Sequence, residues 1–111
     1  MRALEYTRAT TTEQAIATHA RTEATAFLAG GTTLLDLVKL DIMQPDRVVD
    51  VHTLALNQVE TLGDGRTRIG AMVTNTQLAH HPRISEQYAV LSQALLSGAT
   101  TQLRNKATTA G

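Results

Sequence analysis

The 111-residue sequence contains no cysteine and no tryptophan, and its aromatic side chains are Tyr6, Phe27 and Tyr88 alone. Without cysteine, these residues form no disulfide, supply no thiolate nucleophile and ligate no iron–sulfur cluster. Because aromatic rings provide much of the buried area in most domains, leucine, valine, isoleucine and alanine must build this core. A domain this small buries a limited fraction of its surface, so we expect marginal stability for the chain alone.

The sequence also lacks an excess of charge of either sign, since ten basic residues balance ten acidic ones. This balance argues against a broad surface for nucleic acid or for an anionic membrane, but it leaves room for one anion held by backbone groups. No apolar run approaches the roughly 20 residues that span a bilayer. The first residues, MRALEYTR, lack the apolar segment of a signal peptide, which favours a cytoplasmic location.

The first half of the sequence alternates between predicted strands and helices. Strands are predicted at residues 3–6, 24–29 and 46–51. The acidic residues Asp46 and Asp50, which flank the apolar part of the last strand, are expected to be exposed. A helix is predicted at residues 12–20, with Thr10 and Glu13 at the spacing of a capping box. A second helix is predicted to begin at Leu34 and to end before Pro45. Together these elements predict a small βαβ layer.

The second half has a different pattern. Residues 58–73 predict two strands joined by a turn at the sequence Gly-Asp-Gly of residues 63–65. A short helix is predicted after Thr74 or Asn75, either of which can cap it. Another helix is predicted from Tyr88 to its end at Gly98. The last twelve residues show no clear period, and the whole chain is predicted to be α+β.

The junction between the second strand and the second helix has features of an anion site. Gly30 and Gly31 can adopt positive φ and allow a ligand to approach the backbone closely. The N–H groups that open the following helix lack intrahelical partners, and Thr32 and Thr33 add hydroxyl groups. From local pattern alone, a tight turn with a capping box formed by Thr33 and Asp36 explains the junction at least as well. The spacing is neither that of a Rossmann fingerprint nor that of a P-loop.

Other candidate sites are weaker. A second small-residue segment at residues 107–111 is either another anion-binding loop or a segment packed against a neighbouring element. The adjacent histidines His80 and His81 lack a third ligand at zinc spacing and are expected at a helix end. The polar run Arg104-Asn105-Lys106 is either a solvated loop or a contact with a cofactor or a partner.

Three stretches taken together resemble one family. They are FLAGGTTLLDLVKLDIMQPDRVVDV, RIGAMVTNTQLAHHPRI and YAVLSQALLSGATTQLRNKATTAG. They resemble the FAD-binding (medium) subunit of molybdenum hydroxylases, the family of xanthine dehydrogenase, carbon monoxide dehydrogenase and aldehyde oxidoreductase, and most strongly the flavin subunit of bacterial aldehyde oxidoreductases. The resemblance implies the N-terminal part of a PCMH-type FAD-binding domain, similar to that of vanillyl-alcohol oxidase. It covers essentially all 111 residues.

The resemblance also implies which residues bind FAD. In the family, one glycine loop wraps the FAD pyrophosphate and a second approaches the pyrophosphate and the ribityl chain. The first loop corresponds here to Ala26, Phe27, Leu28, Ala29, Gly30, Gly31, Thr32, Thr33 and Leu34. The second loop corresponds to Thr108, Thr109, Ala110 and Gly111, with Gly98 and Ala99 as a weaker correspondence. No catalytic acid, base or nucleophile and no metal ligand is implied within the chain.

The function implied by the resemblance is an electron relay. A molybdenum-cofactor large subunit oxidises the substrate, [2Fe–2S] clusters in a small subunit pass the electrons on, and FAD transfers them to an external acceptor. Family subunits are more than twice as long and continue with an asparagine, so we expect an N-terminal fragment that is inactive alone. In the aldehyde oxidoreductase branch the missing part carries cysteines for a further cluster, a [4Fe–4S] centre. Family complexes can also reach the periplasm on a partner's export signal.

Two alternatives remain at this level. The chain could be a non-catalytic interaction or assembly module that keeps the fold, or a related flavoenzyme without molybdenum partners.

Overall fold

The structure is a computed structural model that describes residues 3–21 and 24–111. These residues form two compact units, which are described separately. Unit 1 consists of the chain up to Leu54 together with Gly111, and unit 2 consists of Ala55–Ala110. Within the described ranges, no helix is long and apolar enough to cross a membrane.

Unit 1 is a three-stranded parallel sheet with two helices. Along the chain its elements are β1 (Glu5–Arg8), α1 (Thr12–Ala20), β2 (Thr25–Leu28), α2 (Leu34–Lys39) and β3 (Arg47–Asp50). The strand order is β1-β3-β2, so the last strand lies in the middle. In register, Tyr6 and Ala26 flank Val48. The predicted βαβ layer is therefore confirmed, with each strand within two residues of its predicted bounds.

The core of unit 1 is aliphatic, as the composition predicts. Its buried apolar side chains are Ala9, Ala15, Val38, Val48, Val49, Val51 and Leu54. The aromatic rings stay outside it, since Tyr6 is 54% exposed and Phe27 is 45% exposed. The capping box predicted at Thr10 and Glu13 is wrong by one residue, because Thr11 caps α1 by accepting from the backbone N–H of Gln14 at 3.0 Å.

Unit 2 is a β-hairpin followed by four short helices. The hairpin consists of β4 (Val59–Thr61) and β5 (Thr67–Ile69), which pair antiparallel. The helices are α3 (Asn75–His80), α4 (Pro82–Gln87), α5 (Ala89–Ser97) and α6 (Thr101–Lys106). A cluster of Val73, Leu78 and Ile84 forms its core, with Val59, Ile69 and Leu95 packed against it.

Several local predictions for unit 2 are confirmed. Gly65 in the hairpin turn has φ +87°, and Thr74 caps α3 in a full capping box with Gln77. Gly98 is the C-cap of α5, although with φ −84° rather than a positive φ. Helix α6, by contrast, is not indicated by the sequence pattern. Its cap is Thr100, whose hydroxyl accepts from the N–H of Leu103 at 3.3 Å.

Candidate functional site

Of the residues assigned to the first loop, Ala26, Phe27 and Leu28 lie in β2 and Leu34 opens α2, so the loop itself begins at the carboxyl end of β2. In parallel sheets, ligands bind outside the carboxyl ends of the strands, where the chain turns into the next helix. Here Leu28 is the last residue of β2, and α2 starts at Leu34. The intervening residues 29–33 therefore lie at the edge of the sheet where a ligand site is expected.

Gly31 has the conformation that such a loop requires. Its φ is +80°, which L side chains rarely adopt. A Cβ at this position would lie 3.1 Å from Cδ1 of Leu35 and 3.2 Å from Cδ1 of Leu28, so the space is already filled. Gly30 is buried but does not have positive φ, so the left-handed conformation of the pair belongs to Gly31.

Four consecutive backbone donors follow in this loop. The N–H groups of Gly31, Thr32, Thr33 and Leu34 have no acceptor within the described part of the chain. The predicted capping box at Thr33 and Asp36 is wrong, because Thr33 makes no side-chain cap hydrogen bond and its φ of −114° and ψ of −47° are already helix-like. Because α2 has six residues, any attraction for an anion at this loop must come from the loop's own N–H groups rather than from a long helix dipole.

The two predicted loops meet at one hydrogen bond inside unit 1. The backbone N–H of Gly30 donates to the carbonyl oxygen of Gly111 at 2.8 Å. Gly111 has φ +134°, and a Cβ there would meet no atom within 4 Å. Two residues that are 81 positions apart in the sequence are thus joined at the first loop.

The rest of the second loop lies in unit 2, where it runs alongside residues 71–75. The N–H of Thr109 donates to the carbonyl of Val73 at 2.9 Å, and the N–H of Ala110 donates to that of Ala71 at 3.0 Å. The hydroxyl of Thr109 also donates to Val73, at 3.1 Å, so this group is used within the protein. Thr108 forms an isolated bridge with Thr74. The segment is therefore a fixed, small-residue strand edge.

The apolar side chains of the segment 26–34 have mixed environments. Phe27 stacks on His19 of α1 with ring centroids 4.5 Å apart, so its side chain attaches the helix to the sheet. The side chains of Ala26, Leu28, Ala29 and Leu34 are half-buried.

Asp50 departs most from its predicted environment. The sequence predicts an exposed side chain, yet Asp50 is 3% exposed. Its Oδ2 accepts from the hydroxyl of Tyr6, and its Oδ1 accepts from the backbone N–H of His52 at 3.0 Å and lies 2.5 Å from His52 Nδ1. Burial opposes ionisation, but the hydrogen bonds from Tyr6 and His52 and the charge of His52 lower the pKa of Asp50 below its ordinary value.

The sequence does contain a signal for this residue. Asp50 stands two residues after Val48 and therefore on the same face of β3, inside the apolar run RVVDV. An acidic side chain in such a run must be either at an exposed edge or buried with partners. Because β3 is the central strand of the sheet, Asp50 is buried with partners.

Two of the remaining candidate residues, Arg104 and His81, have structural roles. Arg104 lies in α6, where its guanidinium donates to the carbonyls of Leu96 and Ala99, so the prediction of a solvated loop is wrong for it. His81 caps α4 by accepting from the N–H of Arg83 at 3.1 Å. Residues 3–21 and 24–111 contain no group of three or more side chains placed to hold a metal ion.

Comparison with known proteins identifies the family. Residues 2–111 match the family described as "FAD binding domain in molybdopterin dehydrogenase". The aldehyde oxidoreductase FAD-binding subunit PaoB of Escherichia coli strain K12 is 50% identical over 111 residues, which is 100% of this chain and 35% of that protein. The xanthine dehydrogenase FAD-binding subunit of Escherichia coli O157:H7 is 36% identical over 107 residues, 96% of this chain and 37% of that protein.

Solved structures agree with the sequence relatives. A reconstituted CO dehydrogenase from Oligotropha carboxidovorans matches with a TM-score of 0.93 and 25% identity over 99% of this chain and 39% of that one. Quinoline 2-oxidoreductase from Pseudomonas putida 86 matches with a TM-score of 0.92 and 25% identity, again over 99% of this chain and 39% of the other chain. The chain thus spans little more than a third of the length of these relatives. On this evidence, the chain belongs to the family of FAD-binding domains of molybdopterin dehydrogenases.

Proposed function

We propose that the protein is part of the FAD-binding subunit of a molybdenum-containing oxidoreductase of the aldehyde or xanthine dehydrogenase type. One observation carries the proposal. Gly31 has a left-handed backbone conformation, and the N–H groups of residues 31–34 have no acceptor among the described residues. This loop occurs in a chain that is 50% identical to an aldehyde oxidoreductase FAD-binding subunit. The flavin, when bound, supplies the electron-transfer chemistry.

The residues of the loop fit an anionic diphosphate. Within residues 3–21 and 24–111, the N–H groups of residues 31–34 meet no acceptor, and the hydroxyl of Thr33 is not used to cap α2. Charged oxygens are strong acceptors for such groups, and a backbone site needs no lysine. We assign the N–H groups of residues 31–34 to the FAD diphosphate, whereas the N–H of Gly30 holds the carbonyl of Gly111. Other contacts from Gly30 and Gly111 to the cofactor remain a prediction. Contacts from Thr108, Thr109 and Ala110 remain a prediction.

We further propose that a large subunit with the molybdenum cofactor and a small subunit with [2Fe–2S] clusters are the partners. The proposal is supported by relatives that are named as subunits, among them the carbon monoxide dehydrogenase medium chain of Hydrogenophaga pseudoflava, which is 31% identical over 86 residues. The alternative of a non-catalytic module has no support among these relatives, which are named for oxidoreductases. Co-purification of both subunits with the native protein tests the proposal, and a flavoprotein isolated without them would contradict it.

The Gly31→Val variant tests the flavin site. Valine places a Cβ against Leu28 and Leu35 and is strained at φ +80°, so the N–H groups lose their arrangement. We expect FAD affinity in the complete gene product to fall more than about a hundredfold, comparable to the loss of two charge-assisted hydrogen bonds. Titration followed by the quenching of flavin fluorescence measures it.

The matched control is Gly65→Val. Gly65 has nearly the same left-handed φ, +87°, but it lies in the hairpin turn, where a Cβ would meet no atom within 4 Å. The control therefore introduces the same kind of backbone strain away from the loop, and FAD affinity should be retained. Unchanged affinity in Gly31→Val would show that the first loop does not bind the diphosphate.

A further inference from the structure

Asp50 stands directly beside the start of the first loop. In the pairing of β2 with β3, it is the register partner of Leu28, the last residue before the loop. The next backbone hydrogen bond runs from the N–H of Val51 to the carbonyl of Leu28 at 2.9 Å. Asp50 is thus the last paired residue of the central strand on the side where the loop departs.

Asp50 fixes the backbone on both of its sides. Toward β1, its carboxylate accepts from the hydroxyl of Tyr6, while its backbone carbonyl accepts from the N–H of Ala9 at 3.0 Å. Past the end of β3, the carboxylate holds the N–H and the ring of His52. The turn formed by Val51 and His52 therefore cannot move without breaking these bonds, and this turn holds the carbonyl of Leu28.

Burial of an ionised carboxylate at a strand end is energetically unfavourable. Desolvation of the charge costs free energy that an apolar side chain of similar size would not cost. The hydrogen bonds keep Asp50 ionised despite its burial. Strong, directional bonds at a strand end are useful where backbone position matters, because a binding loop loses affinity when its donors are displaced.

We propose that Asp50 is a positioning residue for the diphosphate-binding loop and that His52 and Tyr6 hold it in place. The inference rests on the proposed FAD function and deepens it. Asp50 itself does not touch the ligand. It acts through the Val51–Leu28 hydrogen bond, which sets where residues 29–33 leave the sheet.

The first test compares Asp50→Asn with Asp46→Asn. Each variant removes one carboxylate. Asp50 is the last residue of β3 and is buried, whereas Asp46 directly precedes the strand and is exposed. We expect the FAD dissociation constant of the complete gene product to rise about tenfold in Asp50→Asn, as for the loss of one charge-assisted hydrogen bond. In Asp46→Asn it should stay within about twofold. Circular dichroism confirms that both are folded at the assay temperature.

The second test distinguishes positioning from direct contact. His52→Asn keeps an amide N–H near the place of Nδ1, whereas His52→Gln puts one nearer the place of Nε2. If His52 acts by holding Asp50, the asparagine variant should retain most of the affinity and the glutamine variant should lose it. The reverse order would overturn the proposal and make His52 a ligand contact.

The outcomes distinguish the positioning role from the flavin site itself. Normal FAD affinity in Asp50→Asn would overturn the positioning role while leaving the flavin site intact. Absence of FAD binding in the unmodified gene product would instead refute the proposed function. A loss of affinity in Asp50→Asn and in His52→Gln, with affinity retained in His52→Asn, supports the inference.

Discussion

At the scale of single residues, Asp50 combines deep burial with a lowered pKa. Its carboxylate has three donor groups around it, from Tyr6 and His52, which compensate for the water it loses. A carboxyl group whose pKa is lower in the folded than in the unfolded state stabilises the fold while it is ionised. That contribution is complete above its unfolded pKa of about 3.9 and disappears as the pH falls through the lower folded pKa.

The stability of the protein should therefore depend on Asp50 in a defined pH range. We expect Asp50→Asn to lower the free energy of unfolding by roughly 1–3 kcal/mol near neutral pH, the cost of a poorly satisfied buried polar group. The difference from the unmodified protein should shrink below about pH 4, because the unfolded chain then takes up a proton before the native carboxylate does. Urea unfolding at several pH values measures this, and a difference that stayed constant down to about pH 3 would contradict the assignment.

At the scale of elements, unit 2 depends on a close approach between two chain segments. The N–H of Gly70 donates to the carbonyl of Gln58 at 2.9 Å, and the N–H of Met72 donates to that of Leu56 at 2.8 Å. A Cβ on Gly70 would lie 2.2 Å from the carbonyl oxygen of Leu56, a distance that no real contact allows. The segment after β5 can therefore pair with residues 56–58 only if residue 70 has no side chain.

Replacing this glycine should separate the two segments. We expect Gly70→Ala to lower the free energy of unfolding by about 3 kcal/mol, because backbone atoms must move to admit the methyl group. Gly63→Ala is the control, since a Cβ there meets nothing within 4 Å and φ is not positive. It should be neutral or stabilise by up to about 1 kcal/mol. Equal thermal midpoints for the two variants would show that the backbone at Gly70 relaxes freely.

Helix α6 shows why hydrophobic periodicity in the sequence does not identify every helix. Its six residues carry one large apolar side chain, Leu103, which is 49% exposed. The helix has no amphipathic pattern, and in the structure it buries none of its residues. It is held instead by the Thr100 cap and by Arg104, which donates to the carbonyl of Leu96 in α5. It is also held by Asn105, whose amide oxygen accepts from the hydroxyl of Thr76 in α3 at 2.7 Å. The contact with α3 joins residues 29 positions apart, and the hydrophobic period of the helix does not reveal it.

At the scale of the whole molecule, the chain covers 35% of an aldehyde oxidoreductase flavin subunit. It includes both loops that the family resemblance assigns to FAD, and it includes no charged side chain within residues 26–34. The proposed diphosphate site therefore relies on backbone N–H groups and hydroxyl groups rather than on a charged side chain.

The 111-residue chain by itself is thus expected to bind FAD weakly or not at all. Incubation with excess FAD, desalting and an absorbance spectrum between the ultraviolet and visible ranges test this expectation. The complete gene product serves as the positive control. Stoichiometric flavin retained by the 111-residue chain would show that the two loops suffice.

The sequence by itself determined the secondary structure of unit 1, the hairpin and the family. Alternating apolar runs, glycines and caps are local signals, and they correctly indicate β1, β2, β3 and the turn at Gly65. The tertiary structure alone decided that β3 lies at the centre of the sheet, which buries Asp50 beside Leu28. It also decided that the N–H of Gly30 meets the carbonyl of Gly111. Both facts depend on pairing between distant segments, and the energy of such pairing is not contained in any local stretch of residues.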